Sequence, residues 1–164
     1  MVAPAVPFAS VLEIPASIHA EMIGHAILGL PDEACGLFAG VHGADQIEKF
    51  FPMRNIAESS QIYQLDGQEM IDVERTADDS GIALMGVMHS HTHSTNYPSP
   101  TDVADAARFD PFGVWRFIIV SLKHEDPSLR SYRILDGEIT EEPVKILGRS
   151  VTSPGYNPEG NGRN

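Results

Sequence analysis

The chain is short of cysteine, of positive charge and of long apolar runs, and each shortage removes a class of function. Cys35 is the one cysteine among 164 residues, so no intrachain disulfide can form. It lies in the apolar run Ala34 to Val41, which suits a small buried side chain better than a nucleophile. A free thiol fits a reducing compartment. Lysine and arginine together number 11 against 23 aspartates and glutamates, a formal net charge of -12. The basic residues form no cluster, which argues against a phosphate-backbone partner and so against nucleic acid. The acidity serves solubility first, and it favours a basic protein partner over an acidic one. No apolar stretch approaches the ~20 residues needed to span a bilayer. Residues 1–10 carry two prolines and no positive side chain, a poor secretory signal. These shortages together point to a cytoplasmic protein with no membrane role.

What is present is enough for one core. An apolar content of 42% over 164 residues fits a single globular domain, expected over residues 1–147. The stretch 148–164 holds four glycines, two prolines and three asparagines. It has too little apolar surface to offset its ordering entropy, so a disordered tail is expected there. No internal repeat is visible.

Local patterns predict a mixed α/β (α+β) fold. Val11 to Ile14 reads as a short strand. Ile18, Met22, Ile23, Ala26, Ile27 and Leu30 recur near a 3.6-residue period and predict a helix over Ser17 to Leu30. His19 and His25 on it read as surface or packing residues. Ala34 to Val41 and Gln46 to Pro52 predict a hairpin turned by His42 to Asp45. Ile62 to Leu65 reads as a strand, and Asp66 to Asp79 as a helix capped by Asp66. Ile82 to His91 and Val114 to Leu122 read as buried strands, with Trp115 a core residue. Leu129 to Leu135 and Glu138 to Ile146 predict a second hairpin around Asp136-Gly137.

The chemistry gathers at the end of one strand. His89-Ser90-His91 is followed by Ser99 and Asp102, a His-x-His-x7-Ser-x2-Asp spacing. Alternate residues of a strand share a face, so His89 and His91 point the same way. Ser99 suits a helix N-cap, Pro100 its first position, and Asp102 falls at capping-box spacing. Two neutral imidazoles and one carboxylate form a ligand set for zinc, and three protein ligands leave a fourth position open, as catalytic sites do. The bland alternative is a capped helix beside a polar loop. Four such residues at this spacing favour the metal.

This pattern resembles the signature of the JAMM (MPN+) metalloproteases. That family also uses a glutamate just before a Cys-Gly-hydrophobic strand, and Pro31-Asp32-Glu33-Ala34-Cys35-Gly36-Leu37-Phe38 matches it at Glu33. The resemblance spans about Ile18 to Leu147. It implies a cytidine-deaminase-like three-layer sandwich, with a mixed central sheet flanked by helices. It also implies Zn2+ held by His89, His91 and Asp102, with Glu33 as acid/base. His89-Ser-His-Thr followed by Tyr97-Pro-Ser-Pro-Thr-Asp102 is similar, more narrowly, to bacterial peptidases that release cysteine from a sulfur-carrier protein. Many members have proline after the second histidine, where this chain has Thr92.

What this implies is hydrolysis of the amide between the C-terminus of a ubiquitin-like sulfur-carrier protein and cysteine, in cysteine biosynthesis. Zinc lowers the pKa of its water towards ~7. Glu33 accepts the water proton and returns it to the leaving amine, and Ser99 helps to stabilise the oxyanion. The freed cysteine carries a carboxylate, for which Arg54 is the candidate cation, although most such arginines are solvated. His93 is a further ligand, a substrate contact or a solvated loop residue, with the last preferred. The chain lacks the long insertions with which eukaryotic relatives grip ubiquitin. This suits a small carrier whose tail enters by strand addition. Two other readings stay open. One is a zinc isopeptidase acting on another ubiquitin-like conjugate or in sulfur-containing secondary metabolism. The other is a silent scaffold, against which the complete ligand set argues. The oligomeric state, a homodimer included, is left open.

Overall fold

The computed structural model describes residues 10–148. Its elements are β1 (Leu12–Pro15), α1 (Ala16–Gly29), β2 (Cys35–Gly40), β3 (Lys49–Met53), α2 (Gly67–Asp79), β4 (Ala83–His91), α3 (Pro100–Phe109), β5 (Arg116–Ser121), β6 (Ser128–Leu135), β7 (Glu138–Glu142) and β8 (Val144–Leu147). Six strands form one sheet in the order β3-β2-β4-β5-β6-β7. Only β4 and β5 in it run parallel, so the sheet is mixed. The parallel pair needs a crossover, and α3 supplies it. Strands β1 and β8 pair separately, in parallel.

Side-chain alternation along the central strands sorts the core onto two faces. Ile18, Met22 and Ala26 of α1 pack with Phe38, Met88, Ile118 and Val120 on one face. Leu37, Val87, Phe117 and Ile119 point to the other, with Ala106 of α3 and Met70 and Val73 of α2. The result is a mixed sheet flanked by helices, as expected. The β2–β4 ladder shifts register between Phe38 and Ala39, so Met85 is an extra residue in β4. A bulge of this kind reverses which face later residues take. It leaves Leu84, Val87, His89 and His91 on the α3 side and turns Met85 and Met88 to the α1 side. Gly86 makes this possible, because a Cβ there would run into the Arg116 carbonyl.

The differences from the sequence reading have local causes. Helix α1 buries Ile18, Met22 and Ala26 but leaves Ile27 and Leu30 exposed. Strand β3 begins at Lys49 rather than Gln46, because residues 45–47 turn away to bond Glu13 of β1. Ile62 to Leu65 buries alternate residues, Tyr63 and Leu65, but it forms no strand. The Gln64 N–H donates instead to the Asn55 side chain at 3.0 Å. The expected strand Glu138 to Ile146 breaks at Pro143, which lacks a donor, and the chain beyond it pairs with β1 as β8. Strand β5 starts at Arg116 because the Asp110 carboxylate takes the Val114 and Trp115 N–H groups, each at 2.9 Å. Trp115 packs half-buried against the α3-side core.

Helix α2 begins as expected, with Asp66 accepting from the Glu69 N–H at 3.0 Å. No described helix is long and apolar enough to cross a membrane. Residues 1–9 and 149–164, on which the leader and tail expectations fall, lie outside the described residues.

Candidate metal centre

Strand β4 ends in the buried run His89-Ser90-His91. Alternation sends both imidazoles to the α3 side, and the start of α3 brings a carboxylate to meet them. Ser99 caps α3. Its hydroxyl accepts from the Asp102 N–H at 3.1 Å, while the Ser99 N–H donates to Asp102 Oδ2 at 2.8 Å. This reciprocal capping box fixes the carboxylate that faces the histidines. The bland reading of Ser99 and Asp102 is therefore correct as far as it goes, and the same contacts also aim Asp102.

Three atoms converge. His89 Nε2 lies 3.1 Å from His91 Nε2. Asp102 Oδ2 lies 3.2 Å from the former and 3.0 Å from the latter. Ligands held at ~2.0 Å around a tetrahedral ion are spaced by roughly 3.3 Å, so this triangle has the size that zinc requires. Chemistry agrees with geometry. His91 Nδ1 lies 2.7 Å from the Thr95 carbonyl oxygen. A carbonyl only accepts, so Nδ1 carries a hydrogen and the ring is oriented with Nε2 toward the centre, as in a metal-binding histidine. Among the described residues this is the one group of three or more metal-competent side chains.

Electrostatics follow from the crowding. Burial opposes charge on Asp102, but bonds from His89 and His91 and the Ser99 N–H outweigh it and hold its pKa well below the usual range. Burial likewise opposes charge on His91, but Asp102 and the Thr95 carbonyl outweigh it and raise its pKa.

Glu33 lies just before β2, the strand that pairs with β4 alongside the histidines. Cys35 pairs with His89. The Ser90 N–H donates to the Ala34 carbonyl at 2.9 Å, and the Ala34 N–H to Ser90 Oγ at 2.8 Å. The same register carried one step further sets Glu33 opposite His91. Glu33 is 5% exposed. Burial, with a smaller push from Asp102 and a pull from His91, raises its carboxyl from 4.5 to about 8. That is the range of a group able to take and return a proton near neutrality.

Cys35 is fully buried. Burial first, then Glu69 and Glu33, push its thiol up to about 12, which removes it as a nucleophile. Arg54 is exposed and shares with Glu33 a groove of about 440 Å³, also lined by His25, Met53, Asn55 and Glu58. His93 is exposed past the end of β4 and is not part of the triad. His25 is a packing residue: its Nε2 donates to the Cys35 carbonyl at 2.9 Å, and its ring meets Phe50 edge-on.

Three contributors carry no sequence motif. Thr95 acts through its backbone carbonyl. Asn55 binds the Glu33 carbonyl at 3.0 Å and accepts from Ala57 and Gln64, stitching its loop to the site. Tyr63 stacks on His89, with centroids 4.5 Å apart. Only the alternating burial of Tyr63 and Leu65 was readable, as a strand.

Comparison with known proteins agrees. Residues 15–135 match the family described as prokaryotic homologs of the JAB domain. The chain is 41% identical over 140 residues to the CysO-cysteine peptidase of Mycobacterium tuberculosis, covering 84% of this chain and 92% of that protein. It is 30% identical over 96 residues to the desampylase of Haloferax volcanii, covering 56% of this chain and 69% of that one. The solution structure of protein DSY2949 from Desulfitobacterium hafniense superposes with a TM-score of 0.74 at 28% identity, over 82% of this chain and 91% of that one. With the motif, the mixed sheet and the family match all in agreement, this chain belongs to the prokaryotic JAB-domain (JAMM) family and is a peptidase.

Proposed function

We propose that the protein is a zinc peptidase that hydrolyses the amide joining the C-terminus of a ubiquitin-like sulfur-carrier protein to cysteine, releasing the free amino acid. The observation that carries this reading is the triangle of His89, His91 and Asp102, with edges of 3.0–3.2 Å, faced by the buried carboxyl of Glu33. The choice of substrate is supported by the relative that shares 41% identity and is named a CysO-cysteine peptidase.

His89 and His91 through Nε2, and Asp102 through Oδ2, would hold the metal. When bound, zinc supplies Lewis acidity, which polarises a carbonyl and makes a water more acidic. Glu33 takes the proton from the attacking water and delivers it to the leaving amine. Its raised pKa suits both halves of that transfer. The Ser99 hydroxyl oxygen accepts from Asp102, which leaves its hydrogen free to donate to the developing oxyanion. One such donor is worth about 2.7–4 kcal/mol in transition-state stabilisation. Arg54, in the groove with Glu33, receives the carboxylate of the departing cysteine. The net charge of -12 steers in a carrier with a basic face. A protein whose lone thiol is buried suits the cytoplasm.

The test is incubation with a sulfur-carrier protein bearing a C-terminal amide-linked cysteine, followed by the carrier's intact mass. Loss of one cysteine residue, blocked by a chelator and restored by zinc, is expected. An unchanged mass with zinc verified in the protein would discard this substrate and leave the metal site. The partial match to the desampylase favours, as second reading, a conjugate with another leaving amine. A carrier linked through a lysine side chain tests it.

A further inference from the structure

The three ligand side chains are held in unequal ways. Asp102 is fixed by the Ser99 N–H at 2.8 Å, and His91 by the Thr95 carbonyl at 2.7 Å. His89 has no such tether outside the triangle, where its Nε2 meets His91 Nε2 at 3.1 Å and Asp102 Oδ2 at 3.2 Å. Its Nδ1 is buried and meets no hydrogen-bond partner among the described residues. The torsion that turns an imidazole about its Cβ–Cγ bond is soft and broad, so something else must set the ring's angle. The imidazole of His89 lies flat against Tyr63, with centroids 4.5 Å apart and planes inclined by 22°. That is the short end of the stacking range. Rotation of the imidazole would drive its edge into the tyrosine face.

Tyr63 is itself immobilised. It is 8% exposed and packs in the cluster with Leu37, Val87 and Ile119. The Asn55 side chain holds its neighbours, bonding the Ile62 carbonyl at 3.0 Å and the Gln64 N–H at 3.0 Å. The other histidine of the motif needs no such wall, because a hydrogen bond already orients it.

We infer that Tyr63 is a positioning residue for the metal, its ring holding His89 at the angle that brings Nε2 to His91 and Asp102. This rests on the metal-site reading above. The role belongs to the flat ring and not to the hydroxyl, which separates the inference from a general need for a filled core.

The test is the zinc dissociation constant, measured by competition with a chromophoric chelator. Purified wild type is compared with Tyr63→Phe, Tyr63→Met and Leu65→Ala, with thermal melts of each metal-free protein. Tyr63→Phe keeps the stack and is expected to bind within about twofold of wild type, whereas Tyr63→Met fills the space without a ring and is expected to weaken binding by about tenfold or more, the loss typical of a removed ligand support. Leu65→Ala loosens the same loop without touching the stack, and its affinity is expected to stay near wild type. Zinc bound equally by Tyr63→Met and wild type would overturn the inference. So would equal losses in Tyr63→Met and Leu65→Ala, or a loss in Tyr63→Phe as large as that in Tyr63→Met. If Tyr63→Met does not fold, Tyr63→Leu is compared with Tyr63→Phe by the same criterion. Wild type that takes up no zinc removes the metal reading together with this one. Wild type that binds zinc but leaves the carrier adduct intact removes only the substrate.

Discussion

Ala34 and Ser90 clasp each other twice, the Ser90 N–H on the Ala34 carbonyl at 2.9 Å and the Ala34 N–H on Ser90 Oγ at 2.8 Å. Ser90 is the residue between the two histidines, and Ala34 is the residue after Glu33. The clasp therefore ties the proposed acid/base to the strand that carries both histidines. Ser90 is fully buried, so Ser90→Ala leaves the Ala34 N–H without its acceptor, at a cost of about 1–3 kcal/mol. Denaturant unfolding is expected to report that loss, and kcat to fall about tenfold or more as Glu33 shifts, while zinc affinity is largely kept. A Ser90→Ala protein with wild-type kcat would show that the clasp does not position Glu33.

Glu33→Gln separates chemistry from stability. The amide cannot accept the water proton, so turnover is expected to fall by about 10²–10⁴-fold or more, with zinc still bound. Stability moves the other way in the metal-free protein. The folded carboxyl titrates at about 8 against an ordinary 4.5, so the native state binds its proton more tightly than the unfolded chain. That contribution is fully present below the unfolded value and is lost as pH rises from 4.5 towards 8. Chelator-treated wild type is expected to lose Tm across this window, and Glu33→Gln to lose less. Parallel Tm profiles of the two proteins would contradict a raised pKa at Glu33.

Ser99 carries two roles that two measurements can part. As a helix cap, its loss in Ser99→Ala costs about 0.5–2 kcal/mol of folding stability. As an oxyanion donor, its loss costs about 10²–10³ in kcat. Both are expected, the first by denaturant midpoint and the second by steady-state kinetics on the carrier adduct. A stability loss with kcat unchanged would leave Ser99 as a cap alone.

Much of this site was legible because its parts are local. The alternation of His89 and His91, and the cap, proline and carboxylate of Ser99, Pro100 and Asp102, are written within 14 residues of chain. The joining of Glu33 to that segment is not local. It depends on antiparallel pairing of β2 with β4, and was reached only through the family's motif. The pairing of β8 with β1 is equally non-local, and only Pro143 hinted that the last strand was interrupted. Backbone carbonyls leave no trace in residue identity, so Thr95 went unread. Asn55 and Tyr63 were missed for a related reason. A loop organised by one side-chain amide has the alternating burial of a strand without its ladder, and residue pattern alone does not tell the two apart.

Arg54 tests the leaving-group side. It is exposed, its N–H donates to Glu69 Oε1 at 3.2 Å, and it lines the groove that contains Glu33. The other charged groups lining that groove are Asp32, Glu33 and Glu58, so a substrate carboxylate entering there would meet three acids without this guanidinium. Arg54→Ala is therefore expected to raise KM for the cysteine adduct several-fold, with kcat little changed, since the contact exists before and during reaction alike. A carrier adduct ending in cysteine amide, which lacks the carboxylate, should show the same KM with either protein. If Arg54→Ala raises KM equally for both adducts, the arginine is contacting the carrier and not the departing amino acid. An unchanged KM for both would remove it from the site.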